Sequence, residues 1–210
     1  MKRRKSLLLI ALFILPFASG QDSEIDSLEQ AAREQWIGNA APGWSLKSED
    51  GHYEFLQNWT APKNKQLRKP SIQLERHLVV LIFYGSWCPP CVAQLDPLEE
   101  VYQKYKNKNM KFFIIDNTEL ARKKYRNSEW DGFRNAPLTK DLFKEGGITI
   151  PFLEEKNHGV FRKYEIEAIP TVFVIDQFQT IREVFRGFSK EETDEFKRDL
   201  SNEIHQLLED

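Results

Sequence analysis

A continuous apolar run at Leu78–Tyr84 constrains the fold of this chain more than any other feature. Seven apolar residues in succession predict a β-strand buried on both faces, because a strand with one exposed face would alternate apolar and polar side chains. Gly85 ends the run, and residues 92–107 then place apolar side chains at helical spacing. A buried strand that leads through a short turn into a helix is typical of α/β architecture.

Further extended segments are predicted on both sides of this strand. They are expected at residues 44–56, where a hairpin turns at Asp50-Gly51, at residues 111–116, and at residues 171–176 and 181–185, which form a second hairpin. Together with the helices between them, these segments predict an α/β fold in which helices cover a central sheet.

The predicted helices differ in how clearly the sequence indicates them. One is expected at residues 118–126, capped by Asn117 or Thr118. Another ends the chain, with a capping box at Ser189 and Glu192 and an apolar stripe of Phe196, Leu200, Ile204 and Leu207. Residues 127–147 are predicted to be an irregular surface stretch with one helical turn near residues 140–144.

The first twenty residues differ from the rest of the chain. Basic residues 2–5 precede an apolar stretch at residues 7–17, and small residues at positions 18–20 follow. This order predicts a secretory signal peptide at residues 1–20, since the apolar stretch is too short to span a membrane comfortably. An uncleaved N-terminal anchor is the alternative. Either way, the protein is expected to be exported, periplasmic or otherwise extracytoplasmic, with membrane contact only through such an anchor.

Composition limits the remaining possibilities. Residues 21–40 predict a helical extension and residues 41–210 a single domain. Charged residues make up 30% of the chain with both signs mixed, and loss of the basic signal segment shifts the net charge from −2 to about −6. A mildly acidic surface argues against anionic partners, so no nucleic acid partner is expected.

Both cysteines of the chain lie in the sequence Cys88-Pro89-Pro90-Cys91. An exported protein that uses a disulfide to stabilise its fold closes a long loop, whereas this pair would close almost none. Redox chemistry is therefore the better interpretation. Cys88 at a helix N-terminus is favoured as the thiolate that attacks, Cys91 one turn later as the resolving thiol, and Trp87 as an apolar wall of the site.

Other interpretations of the cysteine pair stay open at this stage. Structural zinc needs four ligands, and the histidines of the chain are scattered without ligand spacing. A copper carrier would use Cys88, Cys91 and His158. A peroxiredoxin is disfavoured because Gly85 stands where Ser or Thr should precede its cysteine. A non-catalytic binding module would instead use the long segments 58–76 and 127–147 as an interface, although both are expected to be plain surface loops.

Several motifs in order resemble the TlpA/ResA-like branch of thioredoxin-like oxidoreductases. The resemblance spans residues 41–188 and is based on an opening hairpin, the strand that leads into Cys88–Cys91, and Ile169-Pro170 before a strand. It implies a thioredoxin-like fold with a central mixed β-sheet, an N-terminal hairpin and insertions. It also implies reduction of exported protein disulfides, an upstream membrane electron donor, and no cofactor beyond the redox-active disulfide.

The same resemblance assigns roles around the motif. Pro170 is expected in the cis form facing the disulfide, with the Ile169 backbone free to pair with a substrate strand. Pro89, Pro90 and Gln94 are expected to support the site. Two residues depart from the family pattern. This branch often carries Glu where this chain has Gln94, and thioredoxins carry a buried acid where this chain has Ile82. Three tryptophans, Trp36, Trp59 and Trp130, are expected to serve packing.

Overall fold

The structure, a computed structural model, describes residues 35–69 and 75–209. The predicted signal peptide and residues 21–34 of the 21–40 extension lie outside these residues. Within them, the strands are β1 (Ser45–Ser48), β2 (Tyr53–Phe55), β3 (Leu78–Tyr84), β4 (Met110–Asp116), β5 (Phe152–Glu154), β6 (Thr171–Ile175) and β7 (Ile181–Arg186). The helices are α1 (Pro89–Ala93), α2 (Leu95–Tyr105), α3 (Thr118–Lys124), α4 (Gly132–Asn135), α5 (Thr139–Gly146), α6 (Gly159–Lys163) and α7 (Thr193–Glu209).

The described strands form one mixed sheet in the order β2-β1-β5-β4-β3-β6-β7. The central strands β3, β4 and β5 are parallel, whereas β6 and β7 continue the sheet as an antiparallel hairpin beside β3. On the other side, the β1–β2 hairpin joins β5 through β1. Both predicted hairpins and the predicted central strand are therefore confirmed.

Strand β3 is buried along its whole length and divides the core into two layers. Leu78, Val80, Ile82 and Tyr84 face the layer that contains both cysteines and the apolar stripe of α7. The alternate residues Val79, Leu81 and Phe83 face the other layer, which is rich in aromatic rings and includes Trp36, Trp59 and Tyr164. Because side chains alternate across a strand, a continuous apolar run supplies both layers at once.

The helix predicted at residues 92–107 is interrupted as its proline predicts, since Pro97 is expected to kink it. It is divided at Gln94 into α1 and α2, because Pro97 has no N–H for the carbonyl of Ala93 and its ring crowds that turn. One prediction about the helices is corrected, because the capping box does not form and the Ser189 hydroxyl donates to Glu191 instead of capping. A 3-10 turn at Lys190–Glu192 precedes α7.

The segment at residues 127–147 is more regular than predicted. It contains α4, which was not expected, and α5, which is longer than the single turn expected at residues 140–144. Helix α5 ends at Gly147, whose φ of 67° is in the left-handed region that glycine adopts without a steric penalty. In the described part of the chain, no helix combines the length and hydropathy needed to cross a membrane.

Candidate active site

The two cysteines form a disulfide just beyond the C-terminal end of β3. Cys88 is the N-cap of α1, and the backbone N–H of Cys91 donates to its Sγ at 3.3 Å. Pro89 and Pro90 occupy the first helical positions, where a missing N–H costs no hydrogen bond. The Cα atoms of the cysteines lie 5.3 Å apart, within the range that a disulfide bridges.

The loop before β6 brings a second segment of backbone to this disulfide. The Ile169–Pro170 peptide bond is cis, and the carbonyl oxygen of Ile169 lies 3.5 Å from Cys88 Sγ. The carbonyl of Pro170 accepts from the N–H of Gly187, so its direction is fixed by β7. Strand pairing explains the proximity, because Thr171 at the start of β6 is the partner of Phe83 near the end of β3.

Trp87 is held beside the disulfide by the end of β4. Its indole Nε1 donates to Oδ1 of Asn117 at 3.1 Å, so Asn117 does not cap α3 with its side chain. A Cβ atom at Gly85 would lie only 2.5 Å from that indole nitrogen and 2.7 Å from the Asn117 oxygen. Gly85 is therefore needed for this close approach, which explains the glycine that ends the apolar run.

Trp87 is one of four aromatic residues that form a continuous wall, which we name the aromatic wall: Trp87, Tyr125, Trp130 and Phe133. Phe133 is central, with its ring centroid 4.9 Å from Trp87, 4.6 Å from Tyr125 and 4.6 Å from Trp130. The expectation that residues 127–147 form a plain surface loop is therefore wrong. Trp130 packs on Phe133 but is 50% exposed, whereas Trp36 and Trp59 are buried as expected.

The aromatic wall borders an open groove of about 830 Å³, which we name the redox groove. Cys88, Trp87, Pro89, Pro90 and Ile169 line it. Cys88 is 4% exposed and Cys91 1%, so only a small part of the disulfide reaches the groove, and Cys88 provides more of it. A partner would meet Cys88 first, with Cys91 behind it.

Comparison with known proteins agrees with this geometry. The model of the Redoxin family matches residues 40–200. This chain belongs to the Redoxin family. Among its relatives, thiol-disulfide oxidoreductase ResA of Oceanobacillus iheyensis is 25% identical over 189 residues, which cover 88% of this chain and 80% of ResA.

Solved structures support the fold of this Redoxin-family chain. A putative thiol:disulfide interchange protein DsbE from Chlorobium tepidum superposes with a TM-score of 0.58 at 16% identity, covering 80% of this chain and 97% of that one. StoA from Bacillus subtilis gives a TM-score of 0.50 at 20% identity, with 75% and 95% covered. The predicted thioredoxin-like fold and the ResA-like, thioredoxin-family resemblance are confirmed, and with them the class of thioredoxin-like oxidoreductase.

A buried hydrogen-bond network supports the turn before Cys88 in this Redoxin-family site. The Thr118 hydroxyl donates to Asp116 Oδ1 at 2.5 Å and accepts from the backbone N–H of Ser86 at 2.9 Å. Asp116 also accepts from the N–H of Thr118. Burial raises the pKa of Asp116 above its ordinary value, although the Thr118 hydrogen bonds oppose the shift. Nothing in the sequence pattern indicates this network, because Ser86 and the Asp116–Thr118 pair are polar residues of two separate segments.

The departures from the family pattern are also visible in the structure. Gln94 is 1% exposed, and neither polar atom of its amide has a hydrogen-bond partner among the described residues. Ile82 lies in the same core layer as the two cysteines. No carboxylate therefore occupies either family position, and the buried acid of this site is Asp116 at the end of the neighbouring strand.

The described residues show no group of three His, Cys, Asp or Glu side chains arranged to hold a metal ion. His158, the third ligand in the copper alternative, does line the redox groove together with Cys88. Together with Cys91, however, these two residues do not form such a group among the described residues.

Replacement of Asn117 by Ala should release Trp87. We expect a stability loss of about 1 kcal/mol from the lost hydrogen bond, and a change in the near-UV circular dichroism of the indole. Gly85→Ala should disturb the same indole, since its Cβ would overlap both partners. Asn202→Ala, at an exposed position on α7, is the control. An unchanged indole signal in both site variants would contradict this account.

Asp116→Asn should change the pH dependence of stability. In the wild type the raised pKa means that the unfolded chain loses this proton first, so the free energy of unfolding falls as pH rises above about 4. The Asn variant lacks this loss, so its free energy of unfolding relative to wild type should increase as the pH rises above about 4 in denaturant titrations. Asp50→Asn is a control of opposite sign, because the Ser48 hydroxyl lowers the pKa of Asp50. A difference in the free energy of unfolding between Asp116→Asn and wild type that does not change with pH would contradict the raised pKa of Asp116.

Proposed function

We propose that this protein is a thiol–disulfide oxidoreductase that reduces disulfides of exported protein substrates through the dithiol form of Cys88 and Cys91. The observation that carries the proposal is the position of the disulfide, with Cys88 at an open groove and the Ile169 carbonyl 3.5 Å from its sulfur. The name of the ResA relative describes the same class of reaction.

The exchange proceeds in two displacements. The Cys88 thiolate attacks one sulfur of a substrate disulfide, so that a Cys88–substrate bond forms and the second substrate sulfur leaves as a thiolate that takes up a proton. Cys91, as a thiolate, then attacks Cys88 and releases the first substrate sulfur. Two electrons have passed to the substrate, and the Cys88–Cys91 disulfide remains. An upstream membrane electron donor would return the pair to its dithiol form.

The backbone of α1 favours this order of events. The N–H of Cys91 already points at Cys88 Sγ and would donate to a thiolate there, while Cys91 Sγ has no access to the groove except past Cys88. A substrate disulfide that enters the groove therefore reaches Cys88 Sγ, the sulfur that attacks it, before it reaches Cys91.

Substrate binding is assigned to Ile169, Pro170 and Trp87. The Ile169 carbonyl faces the reacting sulfur, so an extended substrate segment that pairs with this backbone places its cysteine beside Cys88. Trp87 offers an apolar surface in the same groove, with its indole held by the hydrogen bond to Asn117.

Proton transfer from Cys91 needs an acceptor other than the usual carboxylate. Gln94 cannot take up a proton, and Ile82 has no polar group. The acceptor we assign is therefore water or the departing substrate thiolate. Reaction through water makes the resolving step slower at low pH, where less of the Cys91 thiolate is present.

The competing functions have less support. A copper carrier lacks a third ligand grouped with the cysteines in the described residues. A binding module that does not use its cysteines gives no reason for a disulfide at the margin of the groove. Export through the N-terminal segment fits a disulfide-exchanging role, because exported proteins are the ones that carry disulfides.

Substitution of each cysteine should separate the two steps. Cys88→Ala should abolish insulin disulfide reduction, a fall of about 10³-fold or more, because the attacking thiolate is lost. Cys91→Ala should instead accumulate a mixed disulfide on Cys88, visible as a larger species on non-reducing gels and identifiable by mass spectrometry. Asn202→Ala should retain the wild-type rate. Insulin reduction by Cys88→Ala at the rate of that control would overturn the proposal.

A further inference from the structure

We propose that the redox groove selects polypeptide substrates that carry a large aromatic or aliphatic side chain next to the reacting cysteine and an acidic side chain beyond it. This inference rests on the proposed disulfide exchange and names the substrate class of the same site. The apolar residue would contact the aromatic wall, and the acidic residue would reach Lys124.

The aromatic wall is an apolar surface that the fold leaves open. Trp130 is 50% exposed and Tyr125 38%, and both line the groove that contains Cys88. Exposed aromatic clusters of this kind mark binding sites more often than they contribute to folding. At about 830 Å³, the groove has the volume of a ligand pocket and can take several side chains of an extended segment.

The wall is also held in place. A Cβ atom at Gly132 would overlap the Trp130 ring, so the ring lies directly on the backbone of α4. Two hydrogen bonds hold the chain that follows α4. Ser86 Oγ donates to the Pro137 carbonyl at 2.6 Å, and Arg122 donates to the Ala136 carbonyl at 2.6 Å. A rigid apolar surface loses little conformational entropy on binding.

The groove has a basic side next to the wall. Lys124 and Arg162 both line it, and in the described part of the chain neither has a carboxylate partner. By contrast, Lys123 pairs with Glu119 at 3.6 Å. His158 lines the groove beside them, and its pKa is lowered by burial first and then by the nearby charge of Lys124, with Glu155 opposing the shift and Arg162 adding to it.

Two carboxylates, Glu165 and Glu167, also line the groove, on the segment that leads to Ile169. Glu165 accepts from Gln35 Nε2 at 2.8 Å and is already hydrogen-bonded, whereas Glu167 is exposed two residues before Ile169. An acidic side chain of a bound peptide is therefore expected on the Lys124 side, next to Tyr125, and not on the Ile169 side. Charge and apolar surface together orient the segment relative to Cys88.

The test uses the full chain and short synthetic peptides, each joined to a copy of itself through its single cysteine. Four peptides combine Trp or Ser beside the cysteine with Glu or Lys two residues further on. The readout is kcat/KM for reduction of each peptide dimer, with dithiothreitol as the reductant. In the wild type we expect kcat/KM to be about tenfold higher for peptides with Trp than for peptides with Ser. We expect it to be about threefold higher for peptides with Glu than for peptides with Lys at low salt.

Variants of the wall and of Lys124 should remove these preferences separately. Trp130→Ala should reduce the Trp/Ser ratio to about threefold, which is what remains of a tenfold preference when half of its free energy is lost with the most exposed ring of the wall. Lys124→Glu should reverse the Glu/Lys ratio. The matched controls are Tyr53→Ala, an aromatic residue 62% exposed elsewhere, and Lys123→Ala, and both should keep the wild-type ratios.

The outcomes separate the two proposals. Wild-type reduction of all four peptides at equal rates, or Trp130→Ala and Lys124→Glu variants with wild-type ratios, would overturn the substrate class while leaving disulfide exchange in place. Failure of the wild type to reduce any peptide dimer or insulin would overturn the proposed function and, with it, this inference.

Discussion

The antiparallel pairing of β3 with β6 is the interaction on which the rest of the site depends. β3 carries the cysteine motif at its C-terminal end, and β6 begins with the residue after Pro170, so their register brings Ile169 to the Cys88 sulfur. β3 can support this pairing only because it is buried on both faces and bonded to β4 on its other edge. The apolar run and the position of the redox pair are therefore two aspects of one constraint.

Elements whose signal is local were predicted correctly. The continuous apolar run of β3 and the turn residues and strand lengths of the two hairpins are typical of few other structures. The apolar stripe of α7 repeats at helical spacing. Predictions failed where a single contact decides the outcome. Ser189 has the residue type of a cap, but its hydroxyl donates to Glu191 instead of capping the helix.

The candidate site divides in the same way. The cysteine pair and its prolines are adjacent in the chain, and family resemblance supplied Ile169 and Pro170. The aromatic wall could not be predicted, because Trp87 and Phe133 are 46 positions apart and only the tertiary fold brings their rings within 4.9 Å. The Asp116–Thr118 network was missed for a similar reason. The Thr118 hydroxyl accepts from the N–H of Ser86, a residue 32 positions away, and no sequence spacing predicts that contact.

The connection between β4 and β5 has an evolutionary consequence. It carries Trp130 and Phe133, whereas the turn after β3 and the first turn of α1 carry the sulfur atoms. Mutations in this connection can accumulate without disturbing the strands that hold the disulfide, because connecting loops tolerate change far better than buried strands do. Related chains can thus diverge in the proteins they serve while their electron-transfer step is inherited intact.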